Sequence, residues 1–293
     1  MNKWTLFFFS FLGTFVSANP HKVIYLVSPP RSLSVGFTRM IEARGDFKIF
    51  HEPSVSVYHK AHNYTFSSEW FKEGAFQTFE EIKKAIFAGD SNVFVKEISF
   101  HLAEFLDEDL IKNPNVYFIF LLRDPHASVI SLYLKIQPIA GNCANVDDWH
   151  LAVGYKSMVD IFQKIKAFGG RQPLILFSEE LAAKPQEAIA KFCNYADIPL
   201  KEESLAWESL GNDFDAYTLW NENKRVDLIY HWHEDALQST GFRPLKTYDK
   251  DNQGNPTFLE VKDPKDREEC QKSYHYSLPY YQFFQSLETN PDY

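Results

Sequence analysis

Short apolar runs closed by turn residues alternate along this chain with stretches of helical period. His21–Val27 is a compact, mostly apolar run that stops at Ser28-Pro29-Pro30. Proline cannot donate to a ladder, so the pattern predicts a buried strand ending there. Val35, Phe37, Met40 and Ile41 follow at helical spacing, which predicts a helix over Ser34–Ala43, a stop at Gly45-Asp46 and a second strand at Phe47–Phe50. Phe76, Phe79, Ile82 and Ile86 form a helical stripe within Glu69–Ala88, and Asn92–Val95 is a short buried strand. Asp107–Ile111 reads as a helix. Val116–Leu122 (VYFIFLL) is apolar throughout, which implies burial on both faces, as in the middle of a parallel sheet. A helix over Ala127–Leu134, a long amphipathic helix over Asp147–Phe168, a strand at Leu174–Phe177 and a helix at Pro185–Tyr195 continue the alternation. In the last third, Asp249–Gln253 and Asp263–Glu269 read as polar loops and Ser273–Phe284 as an aromatic-rich tail helix. This order predicts an α/β fold, a central parallel sheet flanked by helices, in one domain over residues 19–293.

Composition narrows the function classes. Hydrophobic residues make up 45% and charged residues 24% of the 293 positions, which is ordinary globular usage. The formal charge of −9 and the absence of a basic run argue against nucleic-acid binding. An acidic chain can still hold an anion through a few local cations and backbone N–H groups. Cys143, Cys193 and Cys270 are widely spaced, so they form neither a disulfide framework nor a zinc pattern, and no metal site is expected. The first residues carry Lys3, an apolar run over Thr5–Val16 and the small-residue triplet Val16-Ser17-Ala18. That is the layout of a signal peptide over residues 1–18, too short for a stable membrane span. The expected location is secreted or periplasmic, with delivery into a host cell as one route and a cytoplasmic location as the alternative. Asn63-Tyr64-Thr65 is a glycosylation sequon that decides nothing by itself.

Candidate chemistry starts where the first strand ends. Val23–Met40 reads as strand, turn and helix, the arrangement in which exposed N–H groups and a positive helix end hold a phosphate. Arg31 sits where a cation can reach the anion, and Ser32 and Ser34 can donate hydroxyl hydrogen bonds. As a nucleoside-triphosphate loop the segment fails, because Ile24–Arg31 contains no glycine and no loop lysine. A kinase or NTPase is therefore disfavoured. The bland alternative is a strand–turn–helix corner with a solvated arginine.

The string PPRSLS, Pro29–Ser34, resembles the phosphosulfate-binding loop of P-loop sulfotransferases. A second motif, LLRDPHASVISL over Leu121–Leu132, strengthens the resemblance, with Arg123 and Ser131 at the spacing that family uses. A third, weaker match runs over Leu174–Pro199, where Glu179 and Glu180 read as caps and loop anchors. His51-Glu52-Pro53 resembles a bacterial branch of the family that carries PRS and HEP strings. The resemblance implies a three-layer P-loop fold and 3′-phosphoadenosine 5′-phosphosulfate (PAPS) as co-substrate, with no metal. It implies that Arg31, Ser32, Leu33 and Ser34 hold the 5′ end of the donor, and that Arg123 and Ser131 hold its 3′-phosphate. Glycine is frequent in the family at the Leu33 position, and leucine is tolerable there if the position does not need positive φ.

Sulfuryl transfer to a hydroxyl needs a base near the acceptor oxygen and cations on the departing phosphate. The resemblance implies Glu52 as the first choice of base, with His51 beside it. It implies Lys96 and His101 as the alternative pair, Lys96 near the sulfuryl group. Late in the chain, Trp232-His233 and Ser239-Thr240-Gly241-Phe242 are candidates to close the nucleotide site, with Ser239 and Gly241 as donor contacts. The expected activity is sulfuryl transfer from PAPS to a hydroxyl or amine of a small-molecule or glycan acceptor, through loops Ser54–Phe76 and Gln137–Asn145. The alternative from another class is a catalytically inactive binding protein or secreted effector of the same fold.

Overall fold

The structure, a computed structural model, describes residues 21–63, 71, 73–141, 149–211 and 226–289. The leader 1–18, Cys143, most of the sequon and part of each predicted acceptor loop lie outside the described residues. Five strands, β1 (Val23–Ser28), β2 (Lys48–His51), β3 (Val93–Ile98), β4 (Val116–Leu122) and β5 (Leu174–Phe177), form one sheet in the order β2-β3-β1-β4-β5. Every pairing is parallel. All five carboxyl ends therefore lie along one edge, and the two neighbours of β1 are reached by separate crossovers, the geometry in which open α/β sheets bind ligands.

Helices cover both faces. They are α1 (Ser34–Arg44), α2 (Ser54–Ala61), α3 (Phe79–Ile86), α4 (Ser99–Leu102), α5 (Glu108–Lys112), α6 (Pro125–Ala140), α7 (Trp149–Ala152), α8 (Tyr155–Ala167), α9 (Ser178–Ala183), α10 (Pro185–Ala196), α11 (Val226–Leu237) and α12 (Pro264–Thr289). Strand side chains alternate between faces, so the apolar runs divide into two cores. Val23, Tyr25, Val27, Val95, Phe118 and Phe120 pack with Phe162 of α8 and Phe284 of α12. Ile24, Leu26, Phe94, Ile119 and Leu121 pack with Phe37 of α1 and Phe192 of α10. Burying each such side chain contributes about 1.5–3 kcal/mol, which makes the central strands the anchor for the loops at their ends. The parallel sheet flanked by helices expected from the strand–helix alternation is the one observed, in the three layers that the family resemblance implies. Among the described residues, no helix is long and apolar enough to cross a membrane.

The structure departs from the sequence expectations where tertiary pairing overrides local polarity. β3 continues past Val95, because Lys96, Glu97 and Ile98 keep register with Leu26, Val27 and Ser28 of β1. Lys96 is thus a strand residue rather than one that follows the strand. The helix expected over Asp147–Phe168 is broken between α7 and α8 by Gly154, which has φ 86°. Asp263–Glu269 is not a loop: Asp263 Oδ1 accepts from the Lys265 and Asp266 amides at 2.8 and 3.1 Å and starts α12 there.

Candidate functional site

The loop between β1 and α1 takes its shape from its backbone. Arg31 and Leu33 have φ of 65° and 64°, left-handed values two residues apart. Alternating left-handed geometry of this kind turns successive N–H groups toward a common concavity that suits an anion. Position 33 therefore does adopt positive φ, against the expectation for a leucine, and Leu33 stands just ahead of α1 without a side-chain cap. Its side chain covers Gly36, where an added Cβ would lie 3.4 Å from Leu33 Cδ1. A non-glycine residue in this conformation costs about 1–2 kcal/mol, so the surroundings hold it.

Those surroundings were not legible as motifs. Ser178, at the end of β5, places its Oγ 2.7 Å from the Ser32 carbonyl and 2.9 Å from that of Leu122. Gly154 lies against Pro29 and Pro30, and its carbonyl accepts from Ser99 Oγ at 2.7 Å. Tyr155, fully buried, donates its hydroxyl to the Arg123 carbonyl and lies 3.0 Å from Ser128 Oγ. Glu179 Oε1 accepts from the Asp124 amide at 3.0 Å, which is the loop-anchor role expected of the acidic pair.

Arg31, Arg123 and Ser131 meet directly. Arg31 donates from Nε to Ser131 Oγ at 3.0 Å and from Nη1 to the Trp232 carbonyl at 2.7 Å. Arg123 donates from Nη1 to the Arg31 carbonyl at 2.9 Å and from Nη2 to the Lys246 carbonyl at 2.8 Å. Burial pulls the Arg31 guanidinium below its ordinary pKa; Asp235 raises it again and Arg123 lowers it. Three buried donors here lack a partner within the protein: Ser28 Oγ, Ser32 Oγ and Arg123 Nε. Leaving such groups unsatisfied costs about 1–3 kcal/mol each. Ser34 is buried and opens α1.

The ends of β2 and β3 carry the second group. His51 is paired in register with Lys96, and Glu52 follows in a left-handed conformation, φ 53°. Lys96, only 1% exposed, makes an ion pair with Glu52 Oε1. His51 Nε2 lies 3.5 Å from the same oxygen. Burial, then the positive charge of Lys96, hold the His51 imidazole well below its ordinary pKa. Burial likewise takes His233 down to about 3, although Glu52 opposes the shift. Next to Lys96, the Glu97 carboxyl is fully buried and accepts from the Ser54 amide at 3.0 Å; burial pushes its pKa up to about 8.

The other candidates fall further from this centre. His101 lies on α4, with its ring 5.0 Å from Tyr58 and 6.2 Å from His59, while the Lys96 ammonium goes to Glu52. Burial, then His59 and Lys96, hold the His101 pKa well below its ordinary value. Ser239 Oγ accepts from Trp207 Nε1 at 3.1 Å and donates to the Ala236 carbonyl at 2.8 Å, so its hydroxyl is engaged within the protein. Gly241 bridges Ala206, and an added Cβ would meet the Leu205 carbonyl at 3.2 Å. His233, by contrast, reaches the Glu52 group from α11, with its ring 5.6 Å from that of His51.

A parallel sheet with a left-handed loop after its central strand and an arginine closing the next strand makes a P-loop-type α/β scaffold. More particularly, the chain belongs to the sulfotransferase family, whose sulfotransferase domain model matches residues 16–210. Membership supports sulfotransferase activity. A comparison with curated proteins returns no match. Solved structures similar to the chain include a sulfotransferase from Alicyclobacillus acidocaldarius, at 13% identity and TM-score 0.45, covering 75% of this chain and 97% of that one. Mouse sulfotransferase SULT7A1 complexed with PAP follows at 11% identity and TM-score 0.43, covering 92% and 89%. The sulfotransferase domain of the Synechococcus PCC 7002 olefin synthase stands at 15% identity and TM-score 0.41, covering 78% and 91%.

Proposed function

We propose that the protein moves a sulfuryl group from PAPS to a hydroxyl or amine of a small-molecule or glycan acceptor. The observation that carries this reading is the cluster of unpartnered buried donors, Ser28 Oγ, Ser32 Oγ and Arg123 Nε, around Arg31 at the carboxyl edge of β1 and β4. Two guanidinium groups and a nest of loop amides fit a ligand with phosphate groups at both ends of a nucleoside. Arg31 and the loop would hold the 5′ end, and Arg123 with Ser131 the 3′-phosphate.

In the transfer, a bond forms between the acceptor oxygen and sulfur while the bond from sulfur to the bridging oxygen of the 5′-phosphate breaks. The acceptor proton passes to the Glu52 carboxylate. Charge grows on the departing phosphate, and Arg31 offsets it there. Lys96, fixed by Glu52, stands beside the moving group and is released from its pairing as Glu52 takes the proton.

Calorimetry with 3′-phosphoadenosine 5′-phosphate tests the donor half. Binding should occur without magnesium, and Arg31→Ala should weaken it by about 10- to 100-fold, the loss expected of charge-assisted hydrogen bonds. Tighter binding of ATP with magnesium, or an unchanged Arg31→Ala, would reject the assignment.

A further inference from the structure

Two neighbours in the sequence, His51 and Glu52, and the distant His233 converge at the end of β2. The ligating atoms of His51, Glu52 and His233 all lie within 4.8 Å of one another. Extended backbone would send the neighbouring side chains of His51 and Glu52 to opposite faces. The left-handed φ of 53° at Glu52 breaks that alternation and sets its carboxylate 3.5 Å from His51 Nε2. Backbone held in such a region costs about 1–3 kcal/mol and persists where the surrounding structure enforces it. From the other side, α11 brings in the His233 ring, nearly perpendicular to that of His51.

Two imidazole nitrogens and one carboxylate oxygen form the donor set of borderline divalent cations, with a fourth position left for water or an anion. Magnesium, which favours oxygen ligands in a near-ideal octahedron, is a poor match. Tetrahedral ligands at zinc bond lengths stand about 3.4 Å apart, so side-chain movements of roughly 1 Å would close the set.

We propose that His51, Glu52 and His233 bind a zinc-class divalent cation that competes with Lys96 for the Glu52 carboxylate. Lys96 is nearly inaccessible and already paired with Glu52 Oε1, so a dication arriving there meets a buried positive charge. The competition makes the cation a reversible occupant rather than a structural one. An occupied site would also fasten α11 to the sheet, and α11 carries the Trp232 carbonyl that accepts from Arg31. Only the functional consequence rests on the sulfotransferase reading: a cation on Glu52 would remove the proposed base and stop transfer.

The test uses the full chain freed of metal with a chelator, titrated with zinc chloride and, separately, with magnesium chloride by calorimetry. Zinc should bind one to one and raise the melting temperature, and magnesium should do neither. His233→Ala should weaken zinc binding by about 10- to 100-fold or more, and Lys96→Met should tighten it. His62→Ala, which removes an imidazole 2.9 Å from Glu104 elsewhere on the surface, should leave it unchanged. Absence of zinc binding, binding undiminished in His233→Ala, or no tightening in Lys96→Met would overturn the proposal. Titration with 3′-phosphoadenosine 5′-phosphate separates the two readings. Zinc binding without nucleotide binding keeps the cation site and rejects the donor site, and the opposite result does the reverse.

Discussion

The two ends of the carboxyl edge of the sheet handle their charges in opposite ways. At β1 and β4, half-buried Arg31 and buried Arg123 lie close together and bond largely to backbone carbonyls, with Ser28 Oγ, Ser32 Oγ and Arg123 Nε left over. At β2 and β3, the charges are settled internally, because Lys96 neutralises Glu52. The first region holds two guanidinium groups and unpartnered donors, with Asp235 as an acidic group that acts on Arg31. In the second, Lys96 and Glu52 answer each other's charge. Under the proposed function a donor ligand would satisfy the first region, whereas proton transfer to Glu52 would part the pair in the second.

Glu52→Gln breaks this comparison with the largest expected effect. The amide still offers Lys96 an oxygen but cannot take a proton at neutral pH. Turnover should fall by about 100- to 10,000-fold, the usual contribution of a positioned base, while affinity for 3′-phosphoadenosine 5′-phosphate stays near the wild-type value. The nucleotide titration also guards against a trivial outcome, since removing one member of a buried ion pair can cost about 3–5 kcal/mol of stability. Retained turnover with labelled PAPS would take the base role away from Glu52.

Much of this arrangement was legible in the sequence, and what was missed has a common cause. Val116–Leu122 and Leu174–Phe177 were readable to the residue, because a strand buried on both faces is apolar throughout. Arg31, Arg123 and Glu52 were picked out through the PPRSLS, LLRDPHASVISL and HEP strings that carry the family resemblance, and each ends or follows an apolar run at the same edge of the sheet. Long-range partners leave no such trace. Nothing in the local pattern places Ser178 on the Ser32 carbonyl, Gly154 under Pro29-Pro30, or His233 beside His51. The end of β3 was hidden for the reverse reason: Lys96 and Glu97 look like loop residues, yet they are buried in register beside Leu26 and Val27. His101 looked close to Lys96 in sequence, but the turn into α4 carries it into the ring group of Tyr58 and His59.

Gly154→Ala sharpens the donor side of the comparison with an intermediate effect. Gly154 has φ of 86°, and an added Cβ would sit 2.6 Å from Ser99 Oγ, 3.3 Å from Pro30 Cδ and 3.4 Å from Pro29 Cα. Backbone strain and overpacking together should cost about 1–3 kcal/mol, read as a lower denaturant midpoint. Because the push lands on the anion loop, nucleotide affinity should fall as well. Gly45→Ala is the control: its φ of 68° is also strained, but nothing lies within 4 Å of the new Cβ. It should lower stability and leave the nucleotide affinity intact. Equal effects of the two variants on nucleotide binding would show that Gly154 does not support the loop.

The smallest effect probes the balanced side through Glu97. Burial holds its carboxyl protonated up to about pH 8 in the folded chain, whereas the unfolded chain releases that proton near the ordinary value of 4.5. Between those limits the folded state binds one more proton than the unfolded state, so this group makes stability fall as pH rises. The fall should flatten above about 8, where both states have lost the proton. Glu97→Gln keeps an oxygen for the Ser54 amide and has nothing to titrate. Urea midpoints measured at intervals from about pH 5 to about pH 9 should decline less steeply for the variant than for the wild type. The histidines held low at His51, His101 and His233 act with the opposite sign and at more acid pH: their stabilising share is present above the ordinary imidazole pKa and is lost on acidification. They leave the window above neutrality to Glu97. Identical slopes for the two proteins in that window would mean that Glu97 is ionised in the folded chain, and the charges around Lys96 would then need a second carboxylate in their balance.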